Sequence, residues 1–268
     1  MNRIKTGILL LKGIGFKRFI VILLKRVLKL HNGKPIKGFK EIEHYFSNKS
    51  GLEIGGPSSF FNRSGLMPIY DLASNLDCIN FASSTIWTST IDKEKGFIID
   101  DKCVGKQYIL DAVDLTSIRK NAYDFVLSCN SIEHIANPMK AVEQWLSVLK
   151  QGGILVIIAP RKEVNFDHNR EIVKFDHLIS DYQNEIKESD LSHLEEILSL
   201  HDLTMDPPAG TIEKFILRSQ RNIENRCLHQ HVFDLNVLQQ IYENFNLSII
   251  NSIQLDTDYV IIGLKRQN

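Results

Sequence analysis

The chain has little cysteine: four residues among 268, with no CxxC pair and no spacing typical of a zinc site. The simplest interpretation is reduced thiols in a cytoplasmic protein. Hydrophobic residues make up 43% and charged residues 24% of the chain, which is ordinary for a globular protein. The length allows one large α/β domain, or a core domain with an added cap.

Acidic residues are absent from residues 1–40, which contain eleven Lys and Arg. Residues 41–268 therefore hold 21 of the 32 basic residues and all 32 acidic ones, a net charge of −11. The basic charge is one segment and is not spread over the whole protein. The sequence therefore predicts no nucleic-acid partner.

Long uncharged runs are also absent from the basic segment. The longest, Thr6–Leu11 and Phe19–Leu24, have six residues each, too few to span a bilayer. No small-residue cleavage site follows, so a signal peptide is not indicated. Apolar residues at steps of three and four predict an amphipathic helix within residues 7–30. This helix either makes a peripheral contact with the anionic inner face of the membrane or packs on the rest of the protein.

Apolar runs alternate with helical stretches through the middle of the chain, which favours a parallel sheet covered on both faces. The stretch NPMKAVEQWLSVLKQGG has the apolar spacing of a helix and is followed by glycines. Five runs are predicted strands: GLEIG, LMPIYDLAS ending at Asp71, KQYILDAVDL ending at Asp111, Phe125–Ser128 and Ile154–Ala159.

The alternation returns near the C-terminus, where DLNVLQQIYENF predicts a helix and LSIINSIQL and YVIIGLKR predict two strands. Only Asp256–Asp258 separate these strands, too few residues for a crossover helix, so they must form an antiparallel hairpin. The sequence therefore predicts a Rossmann-like, doubly wound α/β sheet, mostly parallel, with a C-terminal antiparallel hairpin.

Three regions follow from this pattern. Residues 1–40 are the basic amphipathic helix and a linker, and residues 41–161 with 231–268 form the core. Residues 162–230 are polar and irregular, and so long an interruption predicts a cap over the site.

Ligands of open α/β sheets bind outside the carboxyl ends of the strands, and here those ends carry polar residues. Glycines after the first strand let backbone N–H groups approach a ligand closely. A carboxylate after the second strand can accept both ribose hydroxyls, and another acid with a neighbouring N–H can bind an adenine edge. A nucleoside with an amino-acid tail suits this set: Glu53 with Gly55 and Gly56, Asp71, Asp111 with Ala112, and Cys129 with Asn130.

The motifs LEIGGPS, IYDLAS, LDAVDL, YDFVLSCNSIEHI and LKQGGILVIIAPR, in this order, resemble those of the class I S-adenosylmethionine-dependent methyltransferases. The resemblance covers about residues 50–161 and 231–266 and implies S-adenosyl-L-methionine as cofactor. One departure is that Pro57–Ser58 stand near the usual third glycine. The implied contacts are Glu53, Gly55, Gly56 and Pro57 with the methionine part, Asp71 with the ribose, Asp111 and Ala112 with the adenine, and Cys129 and Asn130 beneath the methionine.

Two other functions stay open beside methyl transfer. A nicotinamide-dependent dehydrogenase would need G-x-G-x-x-G after the first strand, which GLEIGGPSSFF lacks. A catalytically inactive cofactor-binding homologue is the second. For an active enzyme, the polar cap favours O-methylation of a sugar hydroxyl in a bacterial surface glycan or its lipid-linked precursor. A small-molecule or natural-product acceptor is the alternative.

A sugar hydroxyl needs a base nearby, and histidine is suited to that role because its unperturbed pKa is about 6.5. His168, after the fifth strand, and His134, just past the fourth, are the candidate catalytic residues. Asp167 and Arg170 stand beside His168 and are expected to orient an acceptor. The spacing of the histidines between His168 and His231 matches no familiar metal signature, so no metal is predicted.

Overall fold

The structure is a computed structural model, and it describes residues 34–87 and 90–266. The helix predicted within residues 7–30 lies outside the described residues. Within them, no helix combines the length and the hydropathy needed to cross a bilayer.

A seven-stranded sheet forms the centre of the molecule, in the order β5-β2-β1-β6-β7-β9-β8. The first five strands in this order are parallel, and β9 is antiparallel to both of its neighbours. The other two described strands form a separate antiparallel hairpin. The strands are β1 (Ser50–Ile54), β2 (Asn75–Asn80), β3 (Phe97–Ile99), β4 (Lys102–Gly105), β5 (Gln107–Ile109), β6 (Tyr123–Cys129), β7 (Leu149–Pro160), β8 (Leu247–Gln254) and β9 (Asp258–Lys265).

Seven α-helices occur in the described residues. The two longest begin where a side chain caps the helix: Asn137 accepts from the Lys140 N–H and Asp234 from the Val237 N–H. The helices are α1 (Phe39–Ile42), α2 (Pro138–Val148), α3 (Phe175–Gln183), α4 (Leu194–Leu200), α5 (Ile212–Gln220), α6 (Asn222–Asn225) and α7 (Leu235–Asn244).

Both faces of the sheet are buried, as its apolar strands require. Successive residues of β7 point to opposite faces, so that Leu155 and Ile157 join one apolar cluster while Val156 and Ile158 join another. Helices α2 and α7 cover the first face. The second is covered mainly by turns between residues 36 and 73, where α1 is the only α-helix described.

The predicted fold class is confirmed: the sheet is Rossmann-like and mostly parallel, and its last two strands form the predicted antiparallel hairpin. Helices α2 and α7 also lie where they were predicted. The residues predicted as a cap contain α3 to α6, and the domain boundaries themselves stay a prediction.

The second predicted strand, LMPIYDLAS, is wrong. These residues form turns, and the strand is β2, Asn75–Asn80. Met67 and Ile69 are fully buried, so the apolar run marks burial and not extended structure. Pro68 has no N–H to donate to a central strand.

Candidate cofactor and active site

A cavity of about 640 Å³ opens beside the carboxyl ends of β1, β2, β5 and β6. This is the edge at which the parallel topology places ligands, and the volume is that of a small-molecule site. The sheet side of the lining includes Gly55, Pro57, Asn80, Asp111, Ala112, Cys129 and Asn130, and the opposite side includes Phe166, Asp206, Arg218, Arg226 and His229.

The loop after β1 needs glycine at two successive positions. Gly55 has φ +78°, and a Cβ there would lie 2.4 Å from the Ser131 Oγ. A Cβ on Gly56 would lie 2.4 Å from the Glu53 carboxyl carbon. Gly55 and Pro57 line the cavity, whereas Gly56, between them in the sequence, is buried. The predicted glycine loop therefore lies at the cavity, with its backbone close to neighbouring side chains.

Glu53 lies beneath this loop and is not among the cavity-lining residues, because its side chain is fully buried. Its carboxylate accepts hydrogen bonds from the Tyr70 hydroxyl at 2.8 Å and from the Ser58 N–H at 3.0 Å. Burial raises the pKa of Glu53 to about 8, against the lowering effect of these two donors. In the described structure Glu53 supports the loop after β1. The predicted direct contact of Glu53 with the methionine part of the cofactor is therefore corrected.

Asp71 is the clearest correction among the predicted cofactor residues. Its side chain is about half exposed, pairs with Arg63 at 2.7 Å and does not line the cavity. The residue that ends β2 at the cavity is Asn80, whose amide donates to the Gly56 carbonyl at 3.1 Å. An amide thus stands at the strand end where an acid was expected.

Asp111 lines the cavity as predicted, and Arg226 holds it from the opposite side. The Asp111 Oδ2 lies 2.8 Å from the Arg226 Nη2, and the Arg226 Nη1 lies 3.0 Å from the Glu188 Oε2. The guanidinium also stands over the Phe81 ring, 5.5 Å from its centroid. Asp111 therefore connects the edge of the sheet to the segment that contains Arg226.

Cys129 and Asn130 line the cavity at the end of β6, as the strand pattern predicted. Asn130 has φ +48°, which turns the chain sharply out of the strand; asparagine tolerates this conformation better than most residues. The next residue, Ser131, donates its hydroxyl to the Ile54 carbonyl at 3.1 Å. This bond ties the ends of β6 and β1 together.

An aspartate–histidine pair faces the strand ends from the other side of the cavity. The His229 Nδ1 lies 2.5 Å from the Asp167 Oδ2, and Arg170 holds the Asp167 Oδ1 at 3.1 Å. Because a carboxylate accepts, Nδ1 carries the proton and Nε2 is the ring nitrogen left to take another. Burial would raise the pKa of Asp167, but His229 and Arg170 outweigh it and lower that pKa to about 2.

Glu133 and His134 complete the wall next to this pair. One polar atom from each of Glu133, His134 and His229 lies within 4.8 Å of the others. Burial lowers the pKa of His134 to about 3, and its Nδ1 donates to the Leu228 carbonyl at 3.0 Å. His134 thus lines the cavity as predicted, but its low pKa makes it a poor proton acceptor.

His168 is a correction. It does not line the cavity, is about one-third exposed and lies 3.0 Å from Asp202 through its Nε2. The neighbouring Asp167 is buried and contacts His229, which does line the cavity. The inward histidine is His229, which the sequence showed only as part of HQH, because the contact joins residues 62 positions apart.

Residues 81–157 match a family model described as a methyltransferase domain. The chain has no match among curated proteins. Similar solved structures include a putative S-adenosylmethionine-dependent methyltransferase from Listeria monocytogenes, with 14% identity, 85% of this chain and 96% of that chain covered, and a TM-score of 0.48. A second, from Methanosarcina mazei, has 13% identity, 85% and 98% coverage, and a TM-score of 0.47.

Residues 81–157 thus match a methyltransferase domain, and the strand order with the reversed β9 is consistent with a class I S-adenosylmethionine-dependent methyltransferase. S-adenosylmethionine is accordingly its cofactor. The residues present suit this group: a glycine loop approaches the cavity, and Asp111, Ala112 and Asn130 line it. Which atoms of the cofactor each residue contacts stays a prediction.

Proposed function

We propose that this methyltransferase O-methylates a hydroxyl of a polar, carbohydrate-like acceptor and that His229, oriented by Asp167, is the general base. The observation that carries the proposal is the 2.5 Å contact between His229 Nδ1 and Asp167 Oδ2 at the wall of the cavity. A sugar in a surface glycan or its lipid-linked precursor is the acceptor class we favour.

The proposed step needs a proton acceptor and an oriented hydroxyl. When bound, S-adenosylmethionine would supply a methyl group on a sulfonium, and the electron pair of the broken carbon–sulfur bond would stay on the sulfur. His229 Nε2 takes the hydroxyl proton as the hydroxyl oxygen bonds to the methyl carbon. Asp167 stabilises the imidazolium that results, and Arg170 keeps Asp167 charged and in place.

The lining supports a polar acceptor that also offers an apolar face. Trp87 is exposed and lines the cavity, with its ring centroid 5.0 Å from that of His134. The Phe166 and His229 centroids are 4.6 Å apart. Glu133 adds a buried carboxyl whose Oε2 has no hydrogen-bond partner among the described residues. Aromatic rings beside hydrogen-bonding groups suit a sugar ring with its hydroxyls.

Transfer of labelled methyl groups to a panel of acceptors tests the proposal. The panel contains sugar nucleotides, lipid-linked oligosaccharides, whole glycans, and hydroxylated and aminated small molecules, and mass spectrometry with NMR locates the methyl group on oxygen or nitrogen. His229→Gln and Asp167→Asn should each lower kcat by about 100-fold to 10,000-fold. Both should keep the wild-type affinity for S-adenosylmethionine.

His168→Gln is the matched control. His168 is also paired with an aspartate, Asp202, but its imidazole does not line the cavity. Turnover of this variant should stay near the wild-type value. Wild-type turnover in both His229→Gln and Asp167→Asn would contradict the assignment of the base. Methylation of amines or small aromatic alcohols alone would contradict the acceptor class, and cofactor binding without transfer to any acceptor would favour the inactive homologue.

A further inference from the structure

A second group of histidines lies outside the cavity lining. His177 and Asp181 lie four residues apart on α3, His193 directly precedes α4, and His231 lies in the irregular segment before α7. One nitrogen from each of the three imidazoles lies within 4.8 Å of the others. Three chain segments distant in sequence thus bring nitrogen ligands to one point.

The distances within this group are those between ligands of one small cation. The His177 Nε2 lies 3.1 Å from the His193 Nε2 and 3.3 Å from the Asp181 Oδ2, and the His231 Nε2 lies 3.1 Å from the same oxygen. Zinc binds nitrogen and oxygen at about 2.0–2.1 Å, so ligand atoms of a tetrahedral site are about 3.3 Å apart. The three observed separations match the edges of such a tetrahedron.

Hydrogen bonding alone leaves this group poorly satisfied. The Asp181 Oδ2 faces two imidazoles, and the single proton that His177 Nε2 can carry faces both Asp181 and His193. His231 is 1% exposed in its side chain, so its Nε2 faces the Asp181 carboxylate away from solvent. A cation at the centre would use the four converging lone pairs at once.

We propose that His177, Asp181, His193 and His231 bind one structural Zn²⁺ ion. Three neutral imidazoles and one carboxylate are a ligand set that tetrahedral zinc accepts. Glu196 lies 3.7 Å from the His193 Nδ1 and stands where a carboxylate orients a metal-bound histidine. The side chain of His177 is 41% exposed, which gives the ion a path from solvent.

The site would tie α3 and the start of α4 to the segment that carries Arg226 and His229. These two residues reach the cavity from positions shortly before His231. Zinc would therefore hold the outer wall of the cavity without touching a reactant. Zinc binding at these four residues does not depend on the identity of the methyl acceptor.

The test measures zinc in full-length, untagged protein. Zinc-saturated protein is desalted, and bound metal is counted by inductively coupled plasma mass spectrometry. A competitive titration with a chromophoric chelator then gives the affinity, and Co²⁺ substitution reports the geometry. We expect one zinc per chain and the visible absorption of tetrahedral Co²⁺. His193→Ala and Asp181→Asn should weaken zinc binding by more than about 100-fold, beyond the usual cost of losing an outer-shell partner.

Two controls separate this site from other histidines. His168→Ala removes an imidazole that is about one-third exposed and lies beside an aspartate, and His134→Ala removes a member of the Glu133, His134 and His229 group. Both should keep one zinc and its affinity. Because an alanine variant can fail to fold, His193→Cys is added, and its thiolate should retain the ion.

Chelation of the wild-type protein should lower Tm by roughly 5–10 °C, and zinc should restore it. The same treatment should not change the Tm of His193→Ala. Absence of zinc from the saturated wild type would overturn the proposal. Equal zinc affinity in the wild type, His193→Ala and Asp181→Asn would do the same, and loss of zinc only in His134→Ala would place the ion in the cavity instead.

Discussion

Glu53 is fully buried near the end of β1. Its burial makes the stability of the folded protein depend on pH. Its pKa rises from 4.5 to about 8, chiefly because burial disfavours the charged form. The unfolded chain has the ordinary value. Between these two values the folded protein holds a proton that the unfolded chain has released. The stability that Glu53 contributes is therefore fully present below the unfolded pKa of 4.5. It is lost as the pH rises through the folded pKa of about 8.

Replacing Glu53 by Gln should remove that pH dependence. In the wild type, the free energy of unfolding should fall with pH across this window, with a limiting slope of about 1.4 kcal/mol per pH unit from this residue. Urea unfolding from about pH 5 to about pH 8 measures it. Glu94→Gln, at an exposed glutamate, should keep the wild-type slope. Parallel curves for Glu53→Gln and the wild type would show that Glu53 is charged in the folded protein.

Single residues also show where sequence inference stops. Gly55, Asp111, Ala112, Cys129 and Asn130 were predicted at the site and line the cavity, because each follows a strand recognisable from its apolar pattern or its glycines. Side-chain direction after a strand is set by tertiary contacts. Adjacent residues in an irregular segment can therefore face opposite ways, which is why Asp167 and not His168 contacts the cavity-lining His229.

At the level of secondary-structure elements, an ion pair between Arg226 and Asp111 connects the segment after α6 to the edge of the sheet. The guanidinium of Arg226 pairs with Asp111 and with Glu188, which is 7% exposed in its side chain. Arg226→Gln would leave the Glu188 carboxyl buried without its cation. Breaking such a pair should cost about 2–4 kcal/mol of unfolding free energy.

Arg221→Gln is the control for this element. It removes an arginine with the same kind of partner, Glu224, but both side chains are more than half exposed. The loss there should be below about 1 kcal/mol. Urea unfolding of both variants gives the comparison. Equal losses in the two variants would mean that Arg226 does not fasten the segment to the sheet.

The strands show the same division between pattern and context. Strands β6 and β7 have uninterrupted apolar runs and were predicted, whereas β2, NLDCIN, contains an acid and two asparagines. Its Asp77 is buried and satisfied by Tyr123, Lys106 and Asn75, at 2.7, 2.8 and 3.0 Å. The polar residues of β2 find their partners only in the folded state. The sequence of β2 therefore shows no alternating apolar pattern from which a strand could be predicted.

At the scale of the whole molecule, the mostly parallel sheet and the C-terminal hairpin were predicted from alternating elements and a short connection, whereas the strand order comes from the structure. The grouping of His177, His193 and His231 did not, because it depends on how three distant segments meet. The expected membrane contact of residues 7–30 stays a prediction, since these residues lie outside the described ranges.

We propose that the cavity at the carboxyl ends of β1, β2, β5 and β6 binds S-adenosylmethionine. Isothermal titration calorimetry of the cofactor against the wild type, Asp111→Ala and Asp71→Ala tests it most directly. We expect one site in the wild type, an affinity about 10-fold to 100-fold lower in Asp111→Ala, as for loss of a charged hydrogen bond, and no change in Asp71→Ala. Absence of binding to the wild type, or weakening by Asp71→Ala with none by Asp111→Ala, would contradict the account.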